Sequence, residues 1–280
     1  MDLFKDRRLI IATKHKKEAV IAPILEGKLG VKCFIDPEFD TDELGTFSGE
    51  IERKNNPLDT ARQKCLKAME SNNCDLGIAS EGSFGQHPTL FFASADEELL
   101  IFIDKKNKLE IVAKVLSTDT NFNGKEVLSE IELLEFAESA KFPSHGLILK
   151  KSKSETSDMI KGITTIEDLK RGFQYLHSKY KSVFVETDMR AMYNPTRMKV
   201  IETTTNKIAE KINSICPNCQ KPGFGIMDYT KGLPCDLCGS PTNSTLSVTY
   251  SCKHCDFSEE KLYPNNKQTE DPMYCNFCNP

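Results

Sequence analysis

The sequence predicts an α/β protein with a central mixed sheet flanked by helices, followed by a small double zinc-ribbon domain. Three observations carry that expectation. The apolar run Arg8-Leu9-Ile10-Ile11-Ala12-Thr13 is followed by a helical pattern and a second run, Val31-Lys32-Cys33-Phe34-Ile35, which is the signature of a βαβ unit and of parallel pairing. Later apolar runs are joined by turns too short for crossover helices, such as Asp104-Lys105-Lys106-Asn107, so antiparallel neighbours should join the sheet. Eight of the eleven cysteines lie after residue 215, and that shift in composition divides the chain into residues 1–213 and 214–280.

The first helix should run through Ala19, Val20, Ile24 and Leu25 and stop near Gly27. Residues 36–55 are polar, contain Pro37, Gly45 and Gly49, and read as a loop or flap. Asn56-Pro57 opens a second helix with Asn as cap and Pro in the first turn; Leu58, Ala61, Cys65, Leu66 and Met69 form its apolar face, with Arg62, Lys64 and Lys67 elsewhere. Strands follow at residues 74–79, 90–95, 99–104 and 109–116, with Asp96-Glu97-Glu98 read as a turn between two of them. A helix over residues 125–141 should present Val127, Leu128, Ile131, Leu134 and Ala137 on one face. Residues 145–149 form a short strand, and 150–158 an exposed Ser/Lys-rich loop. Thr165 caps a helix bearing Ile166, Leu169, Phe173, Leu176 and Tyr180, residues 182–187 form a strand, and Asn194-Pro195 repeats the cap-plus-proline start.

Bulk properties narrow the class of partner. A length of 280 residues allows one large or two modest domains with a sizeable core. The formal net charge of -4 supplies no basic field for nucleic acid or anionic membranes. No run approaches the roughly 18 apolar residues of a membrane span, and the N-terminus lacks a signal-peptide core, so a cytoplasmic protein is expected.

The cysteine pairs are Cys216/Cys219, Cys235/Cys238, Cys252/Cys255 and Cys275/Cys278, with fifteen residues between the first two pairs and nineteen between the last two. Both intervals suit zinc ribbons, in which two knuckles complete a closed tetrahedral site, so two structural zinc ions are expected. Sequential pairing suits the spacing; interleaved pairing is the alternative. Disulfides fit poorly with a cytosolic chain. His254 lies inside a knuckle already served by two thiolates and reads as a bystander. From Cys216 onward there are five lysines, no arginine and seven acidic residues, which suits protein docking better than phosphate binding.

Three constellations carry candidate chemistry. Leu76-Gly77-Ile78-Ala79-Ser80-Glu81-Gly82-Ser83-Phe84-Gly85 reads as a buried strand feeding a tight glycine loop, with Glu81 at the carboxyl end where ligands sit in α/β sheets. The plainer reading is a turn with Glu81 in solvent. Thr13-Lys14-His15-Lys16-Lys17, between a strand and a helix N-terminus, reads as an anion site or as a solvated basic turn. In Val183-Phe184-Val185-Glu186-Thr187-Asp188-Met189-Arg190, two acids at a strand end suit Mg²⁺, while Arg190 and the later Arg197 could grip phosphate; the alternative is internal ion pairing among them.

The whole chain resembles a bacterial family known only as a domain of unknown function. The resemblance rests on the Ala-Thr-Lys-His start, Ala-Ser-Glu-Gly-Ser-Phe-Gly-Gln-His-Pro, Glu-Thr-Asp-Met-Arg-Ala with Asn-Pro-Thr-Arg-Met, and the four knuckles. Residues 8–104 are more weakly similar to inosine/xanthosine triphosphate pyrophosphatases. Thr13 and Lys16 stand near the places of that family's phosphate loop, Thr60-Ala61-Arg62-Gln63-Lys64 resembles its basic helix, and Gly77-Ile78-Ala79-Ser80-Glu81-Gly82-Ser83 its acid-bearing strand end. The chain lacks the family's loop asparagine, inserts two residues between Ile78 and Glu81, and adds the cysteine tail. The resemblance implies a Mg²⁺-dependent hydrolase of a nucleotide or another phosphorylated ligand. Taken with the residue readings above, which supply the residues beyond 104, the expected catalytic acids are Glu81, Glu186 and Asp188, and the expected ligand-binding residues are Thr13, Lys14, Lys16, Ser83, Arg190 and Arg197. The rival expectation is a non-enzymatic adaptor or ligand sensor whose zinc tail docks a protein or RNA.

Overall fold

The computed structural model describes residues 3–39 and 56–280. The expected flap falls largely on residues 40–55 and lies outside the described residues. The chain divides into two compact units, Met1–Ala209 and Glu210–Pro280. No helix among the described residues is long and apolar enough to cross a membrane.

The first unit contains the expected mixed sheet, built from β1 (Arg8–Ala12), β2 (Lys32–Phe34), β3 (Leu76–Gln86), β4 (Ser94–Asp104) and β5 (Leu109–Ser117). Its order is β2-β1-β3-β4-β5. The β1 strand pairs parallel with both β2 and β3, whereas β3, β4 and β5 pair antiparallel. The parallel half follows from two helical crossovers, α1 (Glu18–Leu29) and α2 (Pro57–Ser71). Gly30, with a φ of 68° that favours glycine, ends α1; Gly27 lies inside the helix, contrary to the expected stop. Asn56 caps α2 by accepting from the Asp59 amide, as its cap-plus-proline start predicts. Helix α2 buries Ala61, Cys65, Ala68 and Met69 against Ile10, Ala79, Leu99 and Ile101 on one face of the sheet.

The remaining strands of this unit form a separate antiparallel sheet, β6-β9-β7-β8, from β6 (Gly124–Val127), β7 (Leu147–Lys150), β8 (Ile160–Ile163) and β9 (Val183–Thr187). Helices α3 (Glu130–Ser139) and α4 (Ile166–Tyr180) contribute Leu133, Phe136, Leu169, Phe173 and Leu176 to its core. Two expectations are corrected here. Residues 125–127 belong to a strand, and α3 buries Leu133, Phe136 and Ala137 while Leu128 and Ile131 stay exposed. Part of the expected loop over 150–158 is strand too: Lys150 ends β7, and β8 follows at Ile160. Helix α5 (Pro195–Asn213) starts as expected, with the Asn194 side chain accepting from the Arg197 amide at 3.0 Å.

The second unit is a three-stranded antiparallel sheet, β10 (Gly225–Lys231), β11 (Thr245–Ser251) and β12 (Ser258–Leu262), with the four cysteine knuckles at its strand ends.

Candidate functional site

The β3 strand does not break into a loop at its glycines. It runs unbroken from Leu76 to Gln86, paired with β4 along its whole length. Glu81 is therefore a strand residue, and the glycines at 82 and 85 are not at positive φ. Gly82 is needed for space: a β-carbon there would lie 2.5 Å from Glu98 Oε1 and 2.6 Å from Arg197 Nη2.

Strand alternation divides the candidate residues between two faces. Glu81 stands opposite Leu99, on the face covered by α2. It is buried and ion-paired with Lys64 of α2, Nζ to Oε1 2.5 Å. Lys64, expected away from the apolar face of α2, turns inward, because Glu81 supplies the counter-charge that burial of an ammonium demands.

Ser80, Gly82 and Phe84 point to the opposite face and stand across from Leu100, Glu98 and Asp96 of β4. Asp96-Glu97-Glu98 is not a turn. It lies within an eleven-residue strand, with Asp96 and Glu98 both 0% exposed. The Glu98 carboxylate accepts from Arg197 Nε at 2.6 Å, and Arg197 also donates to the Met189 carbonyl and lies over the Phe84 ring, 5.0 Å from its centre. From the start of α1, the buried Lys17 ammonium donates to Ser80 Oγ at 2.9 Å. Lys14 and Lys16, the expected phosphate-binding residues of this segment, are both exposed. Lys17 is the inward residue, because Lys16 adopts a left-handed φ of 58° that turns the chain into α1. Thr13 is buried, and Ser83 half-buried.

Apart from Asp104, which Arg7 holds at the far end of β4, six ionisable side chains, three of each sign, thus become buried around β3 and β4: Lys17, Lys64 and Arg197 with Glu81, Asp96 and Glu98. Their fields act on one another. Burial and the Arg197 charge lower the Lys17 ammonium to about 8, against the pull of Glu98 and Glu81. Burial and the Glu98 charge push Asp96 up to about 7.

That shift predicts a pH dependence. Between the ordinary carboxyl pKa of 3.8 and about 7, the folded protein holds a proton on Asp96 that the unfolded chain has released. Stability supplied by this group should therefore be present below pH 4 and be lost as pH rises towards 7, a change on the order of a few kcal/mol. Denaturant titrations without added divalent cations should show this decline, and Asp96→Asn should flatten it; a mutant profile parallel to the wild type would refute the assignment.

The second acidic segment forms a different arrangement. Asp188, at the end of β9, accepts from Arg190 Nη2 at 2.6 Å, from the Arg190 amide at 3.1 Å and from the Gly162 amide at 3.1 Å. Glu186 pairs with Lys150 at 2.8 Å. Internal pairing therefore engages both acids and Arg190, while Arg197 goes to Glu98. A small cavity of about 80 Å³ is lined by Glu186, Asp188 and Arg190 together with Phe84 and Phe122. Because Phe84 projects from the face of β3 opposite to Glu81, Glu81 and Asp188 do not converge across one face of that strand.

In the second unit, eight sulfurs form two groups: Cys216, Cys219, Cys252 and Cys255, and Cys235, Cys238, Cys275 and Cys278. Within each group all ligand atoms lie within 4.8 Å of one another. The cross-pair Sγ separations are 3.6 and 3.7 Å in the first and 3.7 and 3.9 Å in the second. A disulfide requires about 2.05 Å. Four thiolates each about 2.3 Å from a tetrahedral zinc stand roughly 3.8 Å apart, so each group could hold a metal ion, consistent with structural zinc. The pairing is interleaved, first knuckle with third and second with fourth, which corrects the sequential order that spacing favoured. His254 is in neither group; its backbone amide donates to Cys252 Sγ at 3.4 Å.

Fold and site together define a two-unit α/β protein, with a charge cluster buried in its mixed sheet and a unit of paired cysteine tetrads. The chain belongs to the family described as a domain of unknown function, DUF6671, whose model matches residues 64–280. That span includes Glu81, Asp96, Glu98, Asp188, Arg197 and all eight clustered cysteines. None of the curated proteins compared matches the chain.

Proposed function

We propose that this protein is a Mg²⁺-dependent hydrolase acting on a nucleotide or another phosphorylated ligand, with zinc holding its cysteine unit together. The observation that carries the reading is the buried set Lys17, Lys64, Arg197, Glu81, Asp96 and Glu98 beside the carboxyl end of β1. Desolvating six ionisable groups is expensive, and apolar residues of the same size would fill the space at lower cost. Perturbed titration inside such a cluster is what acid–base and metal chemistry require. The place also suits an anionic ligand, since ligands of open α/β sheets sit beyond the carboxyl ends of parallel strands, near helix starts such as that of α1.

In this reading Lys17, with the exposed Lys14 and Lys16 beside it in sequence, attracts phosphate, and Thr13 and Ser83 offer hydroxyls. Glu81 acts as a metal ligand or general base, and Arg197 acts through Glu98. Asp188, Glu186 and Arg190 belong to the neighbouring small cavity and could orient the rest of the ligand. Four-thiolate zinc is coordinatively saturated and takes no part in turnover.

The test is release of phosphate or pyrophosphate from a panel of nucleoside triphosphates and sugar phosphates in the presence of Mg²⁺. Glu81→Gln should reduce turnover at least a hundredfold. Because Lys64 loses its counter-charge, this variant should also melt earlier, so Glu81→Gln combined with Lys64→Met serves as the folded control. A double variant with wild-type turnover would remove Glu81 from the mechanism.

One observation favours the adaptor reading for the second unit. Leu237 and Phe277 lie inside two knuckles of one tetrad and are 74% and 77% exposed, and Met273 and Tyr274 beside them are exposed as well. Such residues suit a protein-docking surface better than a nucleic-acid one. Ligand binding without turnover of any phosphorylated compound would give this reading precedence.

A further inference from the structure

We propose that Asp96 and Glu98 form a divalent-cation site on the face of β3 and β4 opposite Glu81. This deepens the reading above by locating its metal, and it rests on that reading only for the metal's purpose.

The two carboxylates are two residues apart on one strand, so both project to the same side of the sheet. Each is 0% exposed. Both oxygens of Asp96, and Oε2 of Glu98, have no hydrogen-bond partner among the described residues. Two cations lie close enough for their charges to act on Asp96: Arg197, whose Nε donates to Glu98 Oε1, and Lys17, whose Nζ donates to Ser80 Oγ. Three carboxylate oxygens on one face thus have no hydrogen-bond donor among the described residues.

A proton on Asp96, even if accepted by Glu98 Oε2, does not fully resolve the arrangement, because the second Asp96 oxygen would still lack a donor. A hard divalent cation does. Mg²⁺ and Mn²⁺ take oxygen donors, are held by one or two carboxylates, and leave the other coordination positions to water or substrate phosphate. The six buried ionisable groups sum to zero when all are ionised, so an added divalent cation leaves a surplus of two positive charges for an anionic ligand to neutralise. The cation and a polyphosphate should therefore bind more tightly together than either alone.

Two features of the fold hold the pair in place. Arg197 keeps the Glu98 carboxylate in one orientation, and Gly82 opposite it leaves room for the Glu98 and Arg197 side chains. Further along the same face Ser94, two residues before Asp96, lines a cavity of about 350 Å³ together with Thr118, Thr120, Asn121 and Asn123. Its hydroxyl and amide lining suits the uncharged part of a phosphorylated ligand, such as a sugar or a base.

The experiment is Mn²⁺ binding to the zinc-replete full chain, followed by the electron paramagnetic resonance signal of free Mn²⁺. The wild type should bind one Mn²⁺ per chain in the first unit, and Asp96→Asn should weaken that binding at least tenfold. Asp96→Asn removes a buried, unpartnered carboxylate, so the variant should fold at least as well as the wild type in the absence of metal. Asp188→Asn serves as a comparison and should leave the affinity within twofold. No Mn²⁺ bound by the wild type, unchanged affinity in Asp96→Asn, or a loss confined to Asp188→Asn would each overturn the proposal. The broader reading fails separately. A wild type that hydrolyses nucleotides while binding Mn²⁺ independently of Asp96 keeps the function and loses this site. One that binds Mn²⁺ through Asp96 and hydrolyses nothing keeps the site and loses the function.

Discussion

Replacing Cys216 and Cys252 together by serine is expected to remove one zinc per chain and leave the other in place. The structure puts both residues in one tetrad, with Cys219 and Cys255. Sequential pairing predicts a different result, because the two substitutions would then damage both sites. The converse pair, Cys216→Ser with Cys235→Ser, takes one ligand from each interleaved tetrad and should release both ions. Elemental analysis after gel filtration reads the difference as about one zinc per chain against about none. Equal counts in the two double variants, or a reversed order, would refute the interleaved arrangement. The effect on the second unit should be large, since structural zinc contributes apparent binding energies of about 10–16 kcal/mol to small domains.

The physical reason for interleaving is strand direction. Between the first and second knuckles the chain forms β10, seven residues long, which at about 3.3 Å per residue carries it roughly 20 Å from its start. The antiparallel β11 returns, and its register sets Ser251 opposite Gly225, so the third knuckle arrives beside the first. The β12 strand reverses once more, with Leu262 opposite Ser247, and the fourth knuckle closes on the second. Residue counts report the length of an intervening segment. They do not report whether it returns.

The same distinction separates what was legible in the sequence from what was not. Helix starts at Asn56, Thr165 and Asn194 were readable because a cap is a bond between residues three apart. The mixed sheet was readable because apolar runs and short turns encode it locally. The charge cluster was not. Asp96-Glu97-Glu98 has the composition of a turn, since carboxylates are rarely fully buried unless paired. The partner that permits burial of Glu98, Arg197, is 99 residues away. Lys64 had the same ambiguity: on a helical wheel its position adjoins the apolar stripe, and only Glu81 on a strand beneath decides that it faces inward. Lys17 cannot be told from Lys16 in the sequence, because four basic residues in five carry no periodic signal. A left-handed turn at Lys16 selected which of them points inward. One signal was available in retrospect: Asp96 and Glu98 occupy alternate positions directly ahead of Leu100 and Phe102, so a single strand register runs through all four.

Arg197→Met should be the most destabilising single change in the first unit. Arg197 is 1% exposed, and its guanidinium holds three partners at once: Glu98 on β4, the Met189 carbonyl after β9, and the ring of Phe84 on β3. Removing it leaves Glu98 buried without its counter-charge, a situation that costs about 3–5 kcal/mol in other proteins. For a unit of this size the melting midpoint should fall by roughly 10 °C, at about 2–4 °C per kcal/mol. The loss should not be additive. Once Glu98→Gln has removed the charge, Arg197→Met has no carboxylate to strand, so the double variant should recover a large part of the midpoint. Full additivity would mean that the pair is not coupled and that Arg197 acts only through its backbone and ring contacts. The comparison also bears on the metal. A divalent cation beside Asp96 and Glu98 supplies the missing positive charge, so saturating Mn²⁺ should raise the midpoint of Arg197→Met more than that of the wild type. A smaller or absent rise in the variant would place the cation away from Glu98. The arginine is then a structural counter-ion whose removal a metal can partly offset, and its position on Glu98 Oε1 leaves Oε2 available to that metal.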